Sequence, residues 1–424
     1  MRISALCMAV LACVVAAHPT PVAAQVDQQR AQEYFKEAEA LCERDGGRLW
    51  GVSICAPMVI ADRRTQTIAT SQRAPDAARP PLLGLLNAPI RWGDATWSAY
   101  MWDDVVNRPP SRRKELFLHE MFHCVQPQLG LTAASLDSEH LDAADGRYWL
   151  RLEWRALARA LRESGAPRNL AVRDALAFRQ ARRMLYAANV ESERGQEIAE
   201  GLAAYTGTVL AADSAADAIA SAIDLLVNTE AAALEASFVR TFAYMSGPAY
   251  GLLLDASSPG WTRMVRGSDD LGTLVMRALA VQPASDATAS AARYDGAQVR
   301  ASEQQRDQQR EQRLAELRRQ FVDGPVLLFP GAGSAQFNSI GAVSVPGVGT
   351  VYFGPYNASG EWGTLTAEKG VLIASDGRSR RLSAPVRRDD VTFTGDGWTF
   401  KVAAGWVVRE GARRGDYEVV RRQP

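Results

Sequence analysis

One change of pattern divides this chain and restricts what it can fold into. From Ser111 to about Arg277 apolar residues recur near the helical period, as at Tyr148, Leu152, Leu157 and Leu161. After Pro325 they come instead in short alternating runs, such as Thr350-Val351-Tyr352-Phe353 and Trp398-Thr399-Phe400-Lys401-Val402, punctuated by Gly-Asp and Asp-Gly steps. A helical period buries one stripe of a cylinder and a period of two buries one face of a sheet, so the two regions need different architectures. Helices are expected over 113–126, 146–164, 170–188 and 197–211, with a further Ala-rich helical stretch over 212–236. Residues 325–424 are expected to form a small all-β domain.

Ahead of the helical region, residues 27–44 are polar and helical in character and end at Gly46-Gly47. Three β-branched runs follow, Leu49 to Cys55, Met58 to Ala61 and Thr67 to Thr70, separated by Pro57 and by Asp62-Arg63-Arg64. They read as strands joined by tight turns. A Pro- and Ala-rich loop covers 74–81, and Thr96 to Trp102 is expected as another strand. Residues 296–319, with Glu303-Gln304-Gln305-Arg306-Asp307-Gln308-Gln309-Arg310, read as a solvated helix that connects two domains. The expected class is therefore α+β. Residues 25–295 make one domain, with a small antiparallel β part over about 46–105 and a helical part over about 111–295. Residues 296–324 are the connector and 325–424 the β-domain.

The N-terminus has the form of a secretory signal peptide: Arg2, an apolar run from Ile3 to Ala17, then Val22-Ala23-Ala24 before Gln25. Cleavage near Ala24 would place the mature chain in a periplasm or outside the cell. The run ends at His18-Pro19, too short for a lasting membrane anchor, and no later stretch is apolar enough to cross a bilayer. Lys plus Arg equal Asp plus Glu at 48 each, which leaves no global field to attract nucleic acid. With Cys7 and Cys13 in the signal segment, Cys42, Cys55 and Cys124 remain. Three cysteines are no disulfide framework, but Cys42 and Cys55 can pair in an oxidising compartment, leaving Cys124 as a buried free thiol. Whether the first two meet is not legible in the sequence.

Phe117-Leu118-His119-Glu120-Met121-Phe122-His123 contains the pattern H-E-x-x-H. Positions four apart share a helix face, so both imidazoles can reach one ion. Zinc accepts imidazole nitrogen, and a glutamate beside the first histidine can take the proton of a water on the metal. The apolar residues Leu116, Phe117, Met121, Phe122 and Val125 suit a buried helix. With only four His in the chain, a chance match is rare. A catalytic zinc needs a third protein ligand and an open position. His140 is a weak candidate, because its spacing from the motif is wrong and Asp137 to Asp142 reads as an exposed loop.

Glu200-Gly201-Leu202-Ala203-Ala204-Tyr205 resembles the E-G-(F/L)-A-x-Y helix of the gluzincin metallopeptidases, among them the aminopeptidase-N-like and peptidase-MA-like families. The resemblance implies Glu200 as the third metal ligand. Glu197, one turn earlier, is the alternative, either as ligand or as a group that orients a histidine. Gly201 and Ala203 are small and would let this helix approach the metal-binding one. Tyr244-Met245-Ser246-Gly247 is similar to the Y-x-x-G segment of aminopeptidase-like gluzincins, which implies that Tyr244 stabilises an oxyanion. Tyr250 is the alternative there, and a packed core tyrosine is the plain reading.

The chain also departs from the family. Seventy-six residues separate His123 from Glu200, which implies an insertion of two or more helices. The G-x-M-E-N strand that captures a free amino terminus is absent, so aminopeptidase activity is not implied. Trp97 to Trp102 is expected at the edge-strand position where substrate backbone would pair. The resemblance thus implies an exported metallopeptidase with one catalytic Zn2+ on His119, His123 and Glu200, Glu120 as general base, and a peptide or protein substrate. Ligand type favours zinc without excluding other divalent metals. The alternative is a catalytically inert zinc-bearing binding or structural protein of the cell envelope, against which an intact Glu120 argues.

Overall fold

The computed structural model describes residues 25–81, 83–132, 138–233, 237–337, 342–389 and 391–422. The expected signal segment, 1–24, lies outside the described residues. The chain forms two compact units, the first ending at Glu303 and the second beginning at Gln304.

The first unit opens with helix α1 (Gln28–Asp45), where Asp27 accepts from the Arg30 amide and Gly46 ends the helix at φ 57°. That left-handed conformation costs a glycine nothing, which is why helices so often stop at one. Strands β1 (Met58–Ala61), β2 (Ile68–Thr70), β3 (Ala88–Trp92) and β4 (Ala95–Met101) form a sheet in the order β2-β1-β4-β3. The β1–β2 and β3–β4 pairs are antiparallel as expected, but β1–β4 is parallel, because the chain between those two strands crosses back instead of turning in a hairpin. Then come α2 (Trp102–Val106), α3 (Pro110–Val125), α4 (Ala144–Arg162), α5 (Gly165–Leu185) and α6 (Val190–Gln196). A π-helical turn, Glu197–Gly201, leads into α7 (Leu202–Ala211). Helices α8 (Ala215–Ala231), α9 (Phe242–Ser257), α10 (Leu271–Ala278) and α11 (Ala287–Ala291) complete the unit, and α12 (Gly296–Arg318) runs from it into the next. Helices and several sheets coexist, as an α+β chain requires. None of the described helices is long and apolar enough to cross a membrane.

Two strand expectations need correction, and one strand went unread. Leu49 to Cys55 is irregular rather than a strand. The Asp45 carboxylate accepts from the amides of Gly47 and Leu49, which gives that backbone a local partner in place of a sheet ladder. The segment instead drives Trp50 into the core, where its ring lies 4.7 Å from Phe122 and its Nε1 donates to Thr206 Oγ1. Second, Ala88–Trp92 is a strand whose short mixed run, with Pro89 and Arg91, gave little alternation to read. Third, Thr96 to Met101 lies inside the sheet, so β3 and not this strand forms the edge. The Cys42–Cys55 pair is closed, with the two Cα atoms 5.4 Å apart, and it ties that irregular segment to α1.

Two helix contacts carry the site, and glycines set both. A Cβ on Gly247 of α9 would lie 2.3 Å from Gly201 Cα, and one on Gly207 of α7 would lie 2.6 Å from the Glu115 carbonyl of α3. Gly201 thus admits α9 rather than the metal-binding helix, and Gly207 is the residue that lets α7 close on α3. The long interval before Glu200 is filled chiefly by α4 and α5, which pack on one another. Between them and α9 runs a buried ionic network. Glu153 accepts from Arg179, Arg182 and the Tyr250 hydroxyl; Arg182 also pairs with Glu193, and Arg179 with Glu197 and Asp270.

The second unit begins in α12, which ends in a further π-helical turn at Arg319–Asp323. Its strands make two sheets. One has seven strands in the order Trp406–Glu410, Tyr417–Arg421, Val326–Pro330, Ser379–Ser383, Val371–Ala374, Gly349–Tyr352 and Val343–Val345. The other has six: Arg387–Arg388, Thr392–Gly395, Trp398–Val402, Gly363–Ala367, Tyr356–Gly360 and Ser334–Gln336. An aromatic core of Phe329, Tyr356, Trp362, Trp398 and Phe400 draws on both sheets. Leu317 and Phe321 pack with Val351 and Leu372 in a second cluster.

Candidate metal centre

Helix α3 starts at Pro110, whose fixed φ and missing amide suit a first helical position. Its Phe117, Leu118, Met121, Phe122 and Val125 are buried, and Tyr100 of β4 donates to the Phe117 carbonyl at 2.9 Å. That packing fixes the rotation of the helix and presents His119, Glu120 and His123 to a cleft. Opposite them the π-helical turn presents Glu200, and α9 presents Tyr244.

The three candidate ligand atoms converge. His119 Nε2 and His123 Nε2 are 3.0 Å apart, and Glu200 Oε2 lies 3.4 Å and 3.5 Å from them. In a tetrahedral site with bonds of about 2.0–2.1 Å, neighbouring ligand atoms lie about 3.3 Å apart, so the spacing suits zinc. The donor set, two imidazoles and a carboxylate, suits zinc as well.

Gln126 fixes the orientation of His123. Its Oε1 lies 2.7 Å from His123 Nδ1, while its Nε2 donates to the carbonyls of Ile198 at 3.1 Å and Ala199 at 2.9 Å. With the Gln126 amide oriented this way, His123 carries its proton on Nδ1 and turns the Nε2 lone pair to the site. The carbonyls belong to the π-helical turn, where the Leu202 amide bonds back to Glu197. One glutamine therefore links the two ligand-bearing segments. Sequence reading missed it, although three residues after His123 it is a neighbour on the helix surface.

Electrostatics separate the two glutamates of the cleft. Burial pushes the Glu120 carboxyl up to about 7; His123 and the exposed Arg108 oppose the rise, and Glu200 adds to it. Burial would raise Glu200 too, but the two imidazoles, when protonated, and the Tyr244 hydroxyl hold it far below the usual carboxylate range. The same cleft thus raises one carboxyl and depresses the other. The Tyr244 hydroxyl donates to Glu200 Oε2 at 2.5 Å, and its ring stacks on His119 with centroids 5.2 Å apart.

Two cavities meet at these residues, of ≈ 470 Å³ and ≈ 340 Å³, and both touch Asn87, His119, Glu120 and Tyr244. The larger extends past Arg108, Arg112, Leu116, Thr208 and Met245, and the smaller past Ala88, Pro89, Pro127 and Ala199. The edge strand β3 thus borders the cleft. Asn87, just before it, is held by Asp104 and by the Met101 amide. Neither Asn87 nor Arg108 had a motif to mark it.

The alternatives left open by the sequence lie elsewhere. Glu197 is buried against Arg179, with Oε1 2.7 Å from its Nη1, and is no part of the histidine cluster. It anchors the segment that carries Glu200. Tyr250 is buried and donates to Glu153 at 2.7 Å. His140 is buried and not exposed as expected. Its Nε2 lies 2.7 Å from Glu193 Oε1, because the ionic network draws the ring inward. Cys124 is partly buried, and burial pushes its thiol up to about 12, which leaves it inert.

Comparison with protein-family models, with curated proteins and with solved structures finds no match to this chain. What can be said of function rests on the cleft itself.

Proposed function

We propose that the chain is an exported zinc-dependent metallopeptidase. The observation that carries this reading is the convergence of His119 Nε2, His123 Nε2 and Glu200 Oε2 beside a buried Glu120 at the junction of two cavities. His119, His123 and Glu200 would hold the ion. When bound, zinc supplies a Lewis acid that acidifies water and polarises a carbonyl. Glu120 takes the proton from the attacking water and returns it to the leaving amine. The Tyr244 hydroxyl, which donates to Glu200 Oε2, would turn to the oxyanion as charge develops. The borders of the cleft support a peptide substrate. Edge strand β3 borders the cleft and offers backbone groups for pairing, and two cavities adjoin His119 and Glu120.

The test is metal content and cleavage measured together on the purified chain. About one zinc per chain is expected, lost in His123→Ala and Glu200→Ala. Glu120→Gln should keep the zinc and lose about 10²–10⁴-fold in turnover of a peptide library. A protein that takes up no zinc, or a Glu120→Gln variant that cleaves as the wild type does, would end this reading.

A further inference from the structure

The larger of the two cavities carries a cation that the fold has not paired. Arg108 stands two residues ahead of Pro110, where the metal-binding helix begins, and it lines the ≈ 470 Å³ cavity together with Glu120 and Tyr244. Pro109 and Pro110 follow it, and a proline restrains the backbone of the residue before it. The start of the helix thus fixes the base of this side chain. Arg108 is exposed, and no hydrogen bond or salt bridge among the described residues engages it. Nearby charges already have partners. Arg112 donates to Glu115 at 2.7 Å and to Ser221 at 3.0 Å, and Ser221 in turn donates to Glu115 at 2.7 Å. Asp104, four residues before Arg108, accepts from Asn87 at 2.8 Å.

The unpaired charge lies within electrostatic reach of the reacting groups. Burial raises the Glu120 carboxyl and the Tyr244 hydroxyl most, and the positive charge of Arg108 pulls both down. Between these polar groups the cavity is walled by Leu116, Leu225 and Met245, all half-buried. Its volume is in the range of pockets that hold small ligands. The smaller cavity differs, since its lining contains neither Lys nor Arg. A residue with an apolar stem and a negative end therefore suits the larger cavity and gains nothing in the smaller. The planar fork of a guanidinium matches the two oxygens of a carboxylate, and one unpaired cation suits its single charge.

Resting on the metallopeptidase reading, we propose that Arg108 selects substrates with a carboxylate on the residue that fills the larger cavity, close to the bond that is cut. That carboxylate is offered by an acidic side chain within a peptide or by the peptide's own C-terminus, and amidating the end separates the two. Arg108 is then a specificity-determining residue and takes no part in the proton transfers.

Binding is read first, so that the outcome does not depend on turnover. The full chain carrying Glu120→Gln and supplied with zinc is titrated against fluorescently labelled hexapeptides of alanine and leucine. One set is amidated and has a central Glu, Gln or Lys; another has no central charge and ends free or amidated. Either the Glu peptide or the free-ended peptide should bind about 3–10-fold more tightly than its neutral counterpart, as an ion pair partly in water allows. Which pair shows the preference identifies the source. Adding Arg108→Gln should abolish the preference, and Arg108→Glu should turn it toward the Lys peptide. Both variants should melt at the wild-type temperature, because Arg108 makes no bond that holds the fold. In the chain with Glu120 intact the same order should appear in kcat/KM, with the cut at a fixed distance from the carboxylate. Equal binding of acidic and neutral peptides, no binding of any peptide, or a preference untouched by Arg108→Glu overturns the proposal. Acid-selective binding without cleavage would end the metallopeptidase reading and leave the selectivity of Arg108 standing; cleavage without acid preference would do the reverse.

Discussion

A histidine on a helix can turn either ring nitrogen outward, and what decides between them here is Gln126. By accepting from His123 Nδ1 it commits Nε2 to the cleft, and by donating to two carbonyls of the π-helical turn it holds Glu200's segment in place. Gln126→Ala should therefore weaken zinc binding about 10–100-fold, with the helical content unchanged. Competition against a chelator of known affinity measures it, and wild-type affinity in the variant would mean that Gln126 is a bystander. Of the residues at this scale, His119, Glu120 and His123 were legible because their spacing alone puts them on one face. Glu200 could be named only through a resemblance, since 76 residues intervene. Gln126 and Arg108 were not legible, because their positions acquire meaning only from what another segment brings near them.

Among the elements, the π-helical turn and α9 come into backbone contact where Gly201 faces Gly247. A methyl group on Gly247 has no space, since backbone lies 2.3 Å from where its Cβ would stand. Gly247→Ala should cost about 1–3 kcal/mol in chemical unfolding and separate Tyr244 from Glu200, so zinc affinity should fall with it. A variant as stable as the wild type would show that the two segments can part freely. The same scale holds the main misreading of the first unit. Leu49 to Cys55 has the composition of a strand, yet Asp45 captures the amides of Gly47 and Leu49 at its start and the disulfide to Cys42 closes it as a loop. Propensity describes a residue's preference before its neighbours arrive. Here the neighbours decided otherwise. The strand at Ala88–Trp92 escaped notice for the converse reason. Its alternation is weak, and pairing with Ala95–Met101 is what makes it a strand.

Over the whole molecule, the first unit is a helical assembly held around buried charge. Burial would raise the carboxyls of Glu193 and Asp270, but Arg182, Arg179 and Arg183 hold both below their ordinary range. A carboxylate depressed in the folded state contributes stability that is complete above its unfolded pKa and is lost as pH falls through the folded one. The difference in melting temperature between wild type and Glu193→Gln should hence be constant above about pH 5 and shrink as pH falls below 4.5, the ordinary value for Glu. A difference that already shrinks between neutrality and pH 5 would contradict that account. Local chemistry was enough to divide the chain into a helical region and a β-region, and to put two histidines and a glutamate on one helical face. Such patterns repeat within a few residues and need no partner to be read. Tertiary structure alone decided which strand borders the cleft, that Glu197 faces Arg179 while Glu200 faces the histidines, and that His140 is buried. Each of these depends on contacts between residues far apart in the chain, where spacing along the sequence carries no distance in space.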